Sequence, residues 1–112
     1  MKLNEIYEEY NKHFSTGILP YTKCMNCGKV YYYPRDSCPV CGKGDLKIMQ
    51  STGNGKVYSY TKFNNGFYGI ISFSAGFRAY MDISGNNPQI GMEVEIKFKK
   101  IKDNLLPYAE LK

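Results

Sequence analysis

Two short stretches constrain this chain more than anything else in it: Cys24-Met25-Asn26-Cys27-Gly28-Lys29 and Cys38-Pro39-Val40-Cys41-Gly42-Lys43. They hold all four cysteines, as two C-x-x-C pairs with ten residues between them, and Gly-Lys follows each pair. A C-x-x-C followed by glycine makes a tight knuckle. The chain turns, backbone N–H groups point back at the sulfurs, and glycine supplies a positive φ. Two knuckles present four thiolates to one tetrahedral ion, the arrangement of a structural zinc ribbon of rubredoxin type. Tetrahedral S₄ also suits iron, which stays open as the alternative metal. Two disulfides would belong to a secreted chain, and no secretory leader is evident. A redox C-x-x-C would come as a single pair beside a βαβ pattern. Four cysteine ligands leave no open coordination position, so Cys24, Cys27, Cys38 and Cys41 are expected to hold a structural ion and not a catalytic one.

A metal staple suits a chain of 112 residues, long enough for one domain or two very small lobes and able to bury only a modest core. Eleven tyrosines and six phenylalanines argue for a folded chain. The net charge is +5, spread over both halves, with one dense run at Lys97, Lys99, Lys100 and Lys102. A mild basic excess fits an anionic partner such as nucleic acid, a nucleotide-bearing cofactor or an acidic protein; a solvated strand face accounts for it equally well. No stretch reaches the ~20 apolar residues of a membrane helix. Free thiols and the absent leader lead to the expectation of a cytoplasmic protein.

Residues 3–14 read as a helix, with Leu3, Ile6, Tyr7, Tyr10 and Phe14 on one face and Glu5, Glu8, Glu9 and Lys12 on the other. Asn4 or the chain start would serve as a poor cap, and Gly17 and Pro20 end the helix. A helix this short needs a surface to dock on; the default is the protein's own core and the alternative a partner subunit. His13, the sole histidine, reads as a surface residue. The zinc lobe follows, with a strand over Val30–Tyr33 that Pro34 ends and an exit strand over Asp45–Gln50. Ser51-Thr52-Gly53-Asn54-Gly55 reads as a turn or hinge. Beyond it come strands over Lys56–Phe63, Phe67–Phe73, Phe77–Ile83, Met92–Lys99 and Leu105–Leu111. Turns at Asn64-Asn65-Gly66, Ala75-Gly76, Ser84–Pro88 and Asp103-Asn104 separate them. Phe77, Ala79, Met81 and Ile83 share one face, and Met92, Val94, Ile96 and Phe98 alternate with charged residues. Pro107 demotes the last strand to an edge or a bulge. The expectation is a mainly β protein. An N-terminal helix and a rubredoxin-like zinc ribbon (residues 1–50) precede a five-stranded antiparallel OB-fold barrel (residues 51–112).

Little in the chain suits a reaction. No Ser/His/Asp set, Walker loop or G-x-G-x-x-G is present, the cysteines are committed to metal, and Asp36, Asp45, Asp82 and Asp103 are scattered. A binding module is therefore favoured over an enzyme. One binding reading is single-stranded nucleic acid, with Tyr58, Tyr60, Phe67, Tyr68, Phe77, Tyr80 and the lysine run as stacking and phosphate groups. The plainer reading is that most of these aromatics fill the barrel.

A second binding reading comes from resemblance. Several motifs follow one another in order: the first knuckle, Tyr33-Pro34-Arg35, Cys38-Pro39-Val40-Cys41-Gly42, the glycine hinge at Gly53–Gly55 and Val57-Tyr58-Ser59-Tyr60-Thr61. Gly76-Phe77-Arg78 and Ile90-Gly91-Met92-Glu93-Val94 complete the series. The chain resembles the acyl-CoA-associated zinc-ribbon/OB-fold proteins that partner thiolases, a family long described as a domain of unknown function. The resemblance implies a non-catalytic subunit that bridges thiolase-like or hydroxymethylglutaryl-CoA synthase-like enzymes and assists acyl-CoA binding. Arg35 and Arg78, the two arginines, then become candidate phosphate contacts, and Tyr58 and Tyr60 candidate ligand contacts.

Overall fold

The structure, a computed structural model, describes residues 2–102 and 104–112. Helix α1 spans Leu3–Ser15. Its cap comes from Glu5 and not from Asn4: the Glu5 carboxylate accepts the Lys2 N–H at 2.9 Å. Ile6 and Tyr10 are buried and Phe14 is half-buried, so the helix docks on its own protein. The apolar stripe is wider than the surface beneath it, and Leu3 and Tyr7 remain exposed. His13 is half-buried, with Nδ1 2.7 Å from the Glu9 carbonyl, a helix-internal contact. Gly17, at φ 75°, turns the chain out of the helix.

The next three strands form a small antiparallel sheet in the order β2-β1-β3. Its central strand β1 (Pro20–Cys24) begins at the proline expected only to end the helix. Proline is tolerated as the first residue of a strand, and burial then alternates along the five residues. Strand β2 is only Val30–Tyr31, shorter than expected, because Tyr32 and Tyr33 turn toward the barrel; β3 is Leu46–Gln50.

Strands β4 (Asn54–Phe63), β5 (Gly66–Phe73), β6 (Arg78–Ser84), β7 (Glu93–Ile101) and β8 (Asn104–Leu111) close into a barrel in the order β4-β5-β6-β8-β7. This is the five-stranded OB architecture. Asp103, half of an expected turn, lies outside the described residues. The expected all-antiparallel ring holds at every seam but one, since β6 and β8 run parallel through Ile83↔Ala109 and Ser84↔Glu110. An odd number of strands cannot alternate direction around a closed ring, so one seam must be parallel. Pro107 sits on β8 beyond that short pairing and faces only Phe98 of β7, as an edge proline should.

Gly53 makes the turn into the barrel at φ 80°, but Gly55 already belongs to β4 and is no hinge. A Cβ on Gly55 would stand 2.7 Å from Ile71 Cγ2 and 2.9 Å from the Ser72 carbonyl, so glycine is there for close approach. Asn64 (φ 48°) and Asn65 (φ 65°) form a two-residue hairpin between Phe63 and Gly66, with the positive φ pair of a type I′ turn.

Val57, Ile71, Phe73, Phe77, Ala79, Met81, Ile83, Val94, Ile96 and Ala109 fill the barrel, and Leu19 from the α1–β1 connection joins the same core. Phe77 is the joint between ribbon and barrel. It stacks on Phe73 at 4.5 Å, on Tyr21 at 4.7 Å and on Tyr32 at 6.2 Å. Tyr10 and Phe14 extend this aromatic contact to the helix, with Phe14 meeting Phe98 of β7 at 5.8 Å.

Candidate functional site

The two knuckles repeat each other bond for bond. Cys24 N–H donates to the Lys29 carbonyl and Cys38 N–H to the Lys43 carbonyl, both at 2.8 Å. Gly28 N–H returns to Cys24 O and Gly42 N–H to Cys38 O, both at 2.9 Å, with φ of 82° and 76° at the glycines. The result brings four Sγ atoms within 4.8 Å of one another, with Cys24–Cys41 at 3.6 Å and Cys27–Cys38 at 3.5 Å. Sulfurs about 2.3 Å from a tetrahedral ion stand about 3.8 Å apart, so the cluster has the size of one S₄ metal site.

Backbone dipoles support thiolates at Cys38 and Cys41. At Cys27 the Lys29 N–H favours the thiolate, but the neighbouring Cys38 sulfur and burial outweigh it and push the thiol up to about 11. Burial opposes ionisation of Cys38, but the N–H groups of Cys41 and Val40, 3.5 and 3.3 Å from its sulfur, outweigh it and bring the thiol down to about 6. Cys41 is lowered by the Lys43 N–H, with Asn26 Nδ2 also donating to its sulfur at 3.6 Å. Beside the cluster the Tyr31 hydroxyl is buried without a hydrogen-bond partner among the described residues. Burial raises its pKa, the Cys38 charge adds to the rise, and Arg35 opposes it.

The structure divides the four candidate ligand residues. Arg78 and Tyr58 come together, the guanidinium carbon lying 3.9 Å above the tyrosine ring centre. Tyr58 follows buried Val57 on the outer face of the barrel, and a β-bulge between Val57 and Ser59 flips the strand beyond it. Gly69 makes room for that bulge: a Cβ there would overlap the Ser59 carbonyl and stand 2.8 Å from Tyr60 Cα. Tyr60 turns the other way, edge-on to Phe67 at 6.1 Å. Arg35 stays exposed in the ribbon, close enough to act on Tyr31 and apart from the Arg78–Tyr58 stack. Of the other aromatics, Phe77 is fully committed to the core, while Tyr68 and Tyr80 are exposed and stack at 6.1 Å.

Tyr33, part of the Tyr33-Pro34-Arg35 motif, ties the ribbon to the barrel. Its hydroxyl oxygen accepts the Tyr80 N–H at 3.2 Å, on the side of β6 that β8 leaves unpaired at this level. The ribbon thereby caps a barrel edge. No spacing rule predicts such a contact; its only signal is an aromatic immediately before Pro34. The Lys99–Asp82 pair at 2.8 Å was likewise illegible, since it joins β7 to β6 over the Tyr108 ring.

A four-cysteine double knuckle on a three-stranded sheet, packed through an aromatic joint on an OB barrel, defines a ribbon–barrel protein. The chain belongs to the DUF35 family. Residues 13–47 match the family described as ChsH2, rubredoxin-like zinc ribbon domain. A DUF35 domain-containing scaffold protein of Methanothermobacter thermautotrophicus is 30% identical over 96 residues, covering 73% of this chain and 72% of that one. Its counterpart in Methanocaldococcus jannaschii is 32% identical over 96 residues, covering 73% and 68%. Among solved structures, an Ltp2-ChsH2(DUF35) aldolase superposes with a TM-score of 0.81 at 21% identity, covering 99% of this chain and 98% of that chain. A DUF35-family protein of unknown function from Sulfolobus solfataricus gives 0.71 at 17% identity, over 94% and 84%. These two likenesses bear on the fold. Among the described residues no helix is long and apolar enough to cross a membrane.

Proposed function

We propose that this chain is a non-catalytic scaffold subunit that seats against an acyl-CoA-using enzyme of the thiolase or hydroxymethylglutaryl-CoA synthase type and assists its acyl-CoA binding. The observation that carries the reading is the load of large apolar side chains left in solvent. Val40, Phe63 and Ile90 are each about two-thirds exposed or more, and Leu3 and Tyr7 of the helix stripe are uncovered (67, 68, 71, 40 and 50%). Large apolar side chains left in solvent are candidate partner contacts. The names of the scaffold relatives support the same role.

In this reading Cys24, Cys27, Cys38 and Cys41 hold one zinc ion, which shapes residues 1–50 and takes no part in chemistry; residues 51–112 form the second unit. Thiolate donors suit zinc, and the backbone N–H groups around Cys38 and Cys41 suit thiolates. Arg78, held flat on Tyr58, is the first choice for an acyl-CoA phosphate, because a stacked guanidinium is already ordered. Arg35 and Tyr60, apart from that pair, are second choices. Location in the cytoplasm accompanies the proposal.

Affinity purification of the chain from its native cells, with identification of bound subunits, tests the proposal. An acyl-CoA-using condensing enzyme should co-elute in fixed ratio. Recovery of the chain without any such enzyme overturns the reading. Metal analysis should return one zinc per chain, and the red colour of a ferric S₄ centre would decide for iron.

A further inference from the structure

The outer face of β4, β5 and β6 carries more than the Arg78–Tyr58 pair that the acyl-CoA reading uses. Strand registers set its side chains in three rows: Lys56, Ser72 and Arg78; then Ser59, Ile70 and Tyr80; then Thr61, Tyr68 and Asp82. Cations occupy one end, Tyr80 the middle row and Tyr68 the far row. Tyr33, Tyr58, Tyr68 and Tyr80 keep 50, 46, 41 and 54% of their surface in solvent. In these rows Asp82 is the single carboxylate, and Lys99 neutralises it at 2.8 Å. The rings are held, not loose: Tyr33 bonds the Tyr80 backbone, Tyr68 lies within 12° of parallel to Tyr80, and Tyr58 lies under Arg78. Beyond the third row a cleft of about 920 Å³ opens between Phe63, Phe67 and Tyr108.

We propose that this face binds single-stranded nucleic acid, with Tyr68 and Tyr80 stacking on bases and Lys56 and Arg78 meeting phosphates. OB barrels bind oligonucleotides on the equivalent second and third strands, here β5 and β6. A rigid sheet of exposed rings favours a ligand with several flat faces in series. The positive edge, on a chain of net charge +5, favours a polyanion. A mononucleotide would occupy one ring and leave the others unused. An acidic protein would find cations here but no reason for near-parallel tyrosines.

The test is fluorescence anisotropy of a labelled strand of about 12 nucleotides, oligo-dT and oligo-U in turn, titrated with the full metal-loaded chain. The expected result is binding that weakens about ten-fold as salt rises from about 50 to about 200 mM, the dependence of two to three phosphate contacts. Tyr68→Ala and Tyr80→Ala should each weaken binding by about ten-fold, Tyr80→Phe should retain it, and Arg78→Ala should flatten the salt dependence. Tyr80→Leu, which keeps the bulk of the side chain but not the ring face, guards against an alanine variant that fails to fold. No binding at low salt overturns the proposal. So does binding unchanged by the folded tyrosine variants. None of these outcomes depends on whether a partner enzyme exists.

Discussion

The Tyr10 hydroxyl fixes the helix to the ribbon. It donates to the Tyr32 carbonyl at 2.6 Å and accepts from the Thr22 hydroxyl at 2.8 Å. Burial pushes its pKa up to about 12, with the Thr22 hydrogen bond opposing and Tyr31 adding. The folded chain thus holds a neutral phenol after the unfolded chain has ionised at its ordinary value near 10. The stability tied to Tyr10 is fully present below pH ~10 and falls as pH rises from about 10 to about 12, by up to about 2–3 kcal/mol. Urea midpoints measured from pH 8 upward should show that decline. Tyr32, raised chiefly by burial, contributes in the same direction. Tyr10→Phe should cost about 1–3 kcal/mol at pH 7, because the Tyr32 carbonyl and Thr22 hydroxyl lose their partner, and should flatten the alkaline decline. A Phe variant with unchanged midpoint and unchanged alkaline slope would show that the two hydrogen bonds contribute nothing. At this scale the sequence told little: it placed Tyr10 on an apolar stripe, while Thr22 and the Tyr32 carbonyl are distant in the chain.

Among the elements, the knuckles were legible almost atom by atom. Their geometry is set within a few residues by cysteine, glycine and local backbone bonds. Strand β1 was not legible, because five residues that open on proline look like a helix stop until β2 and β3 flank them. The ribbon these elements build has almost no core: Thr22, Cys24 and Cys38 are its buried residues along with Pro20. Zinc binding at such sites supplies on the order of 10–16 kcal/mol, so metal and ribbon should be lost together. A strong chelator, or Cys38→Ser, should remove the metal and abolish hydrogen-exchange protection in β1–β3. The helix should follow, since the partners of Tyr10 lie in the ribbon, while β4–β8 stay protected longest. A Cys38→Ser chain with full zinc content and a protected ribbon would contradict the ligand assignment.

Across the whole molecule, ribbon and barrel share one core through Phe77 and Leu19. Residues 51–112 expressed alone should therefore be less stable than the full chain. Losing a buried leucine typically costs about 2–5 kcal/mol, and Phe77 would also lose its cover of Tyr21 and Tyr32. Thermal melts and dye binding to exposed apolar surface would measure the difference. A fragment as stable as the parent would make the barrel an independent unit. The barrel itself was largely readable, because alternation of apolar and charged residues at period two specifies each strand's inner face. Its closure was not, because the parallel β6–β8 seam depends on strands far apart in sequence.

The sequence by itself determined the local features: the double knuckle, the inward faces of the barrel strands, and the asparagine hairpin at Asn64-Asn65. Each rests on chemistry within a few residues, such as donor type, side-chain period or tolerance of positive φ. Tertiary structure alone decided which aromatics became joint and which became surface. Phe77 and Tyr80 lie three residues apart, yet one is 2% exposed and the other 54%. Strand geometry dictates that two such residues face opposite ways, but only the ribbon's position over the barrel buries Phe77 under Tyr21 and Tyr32. The barrel's outer face, left open beyond Tyr33, leaves Tyr80 to the solvent.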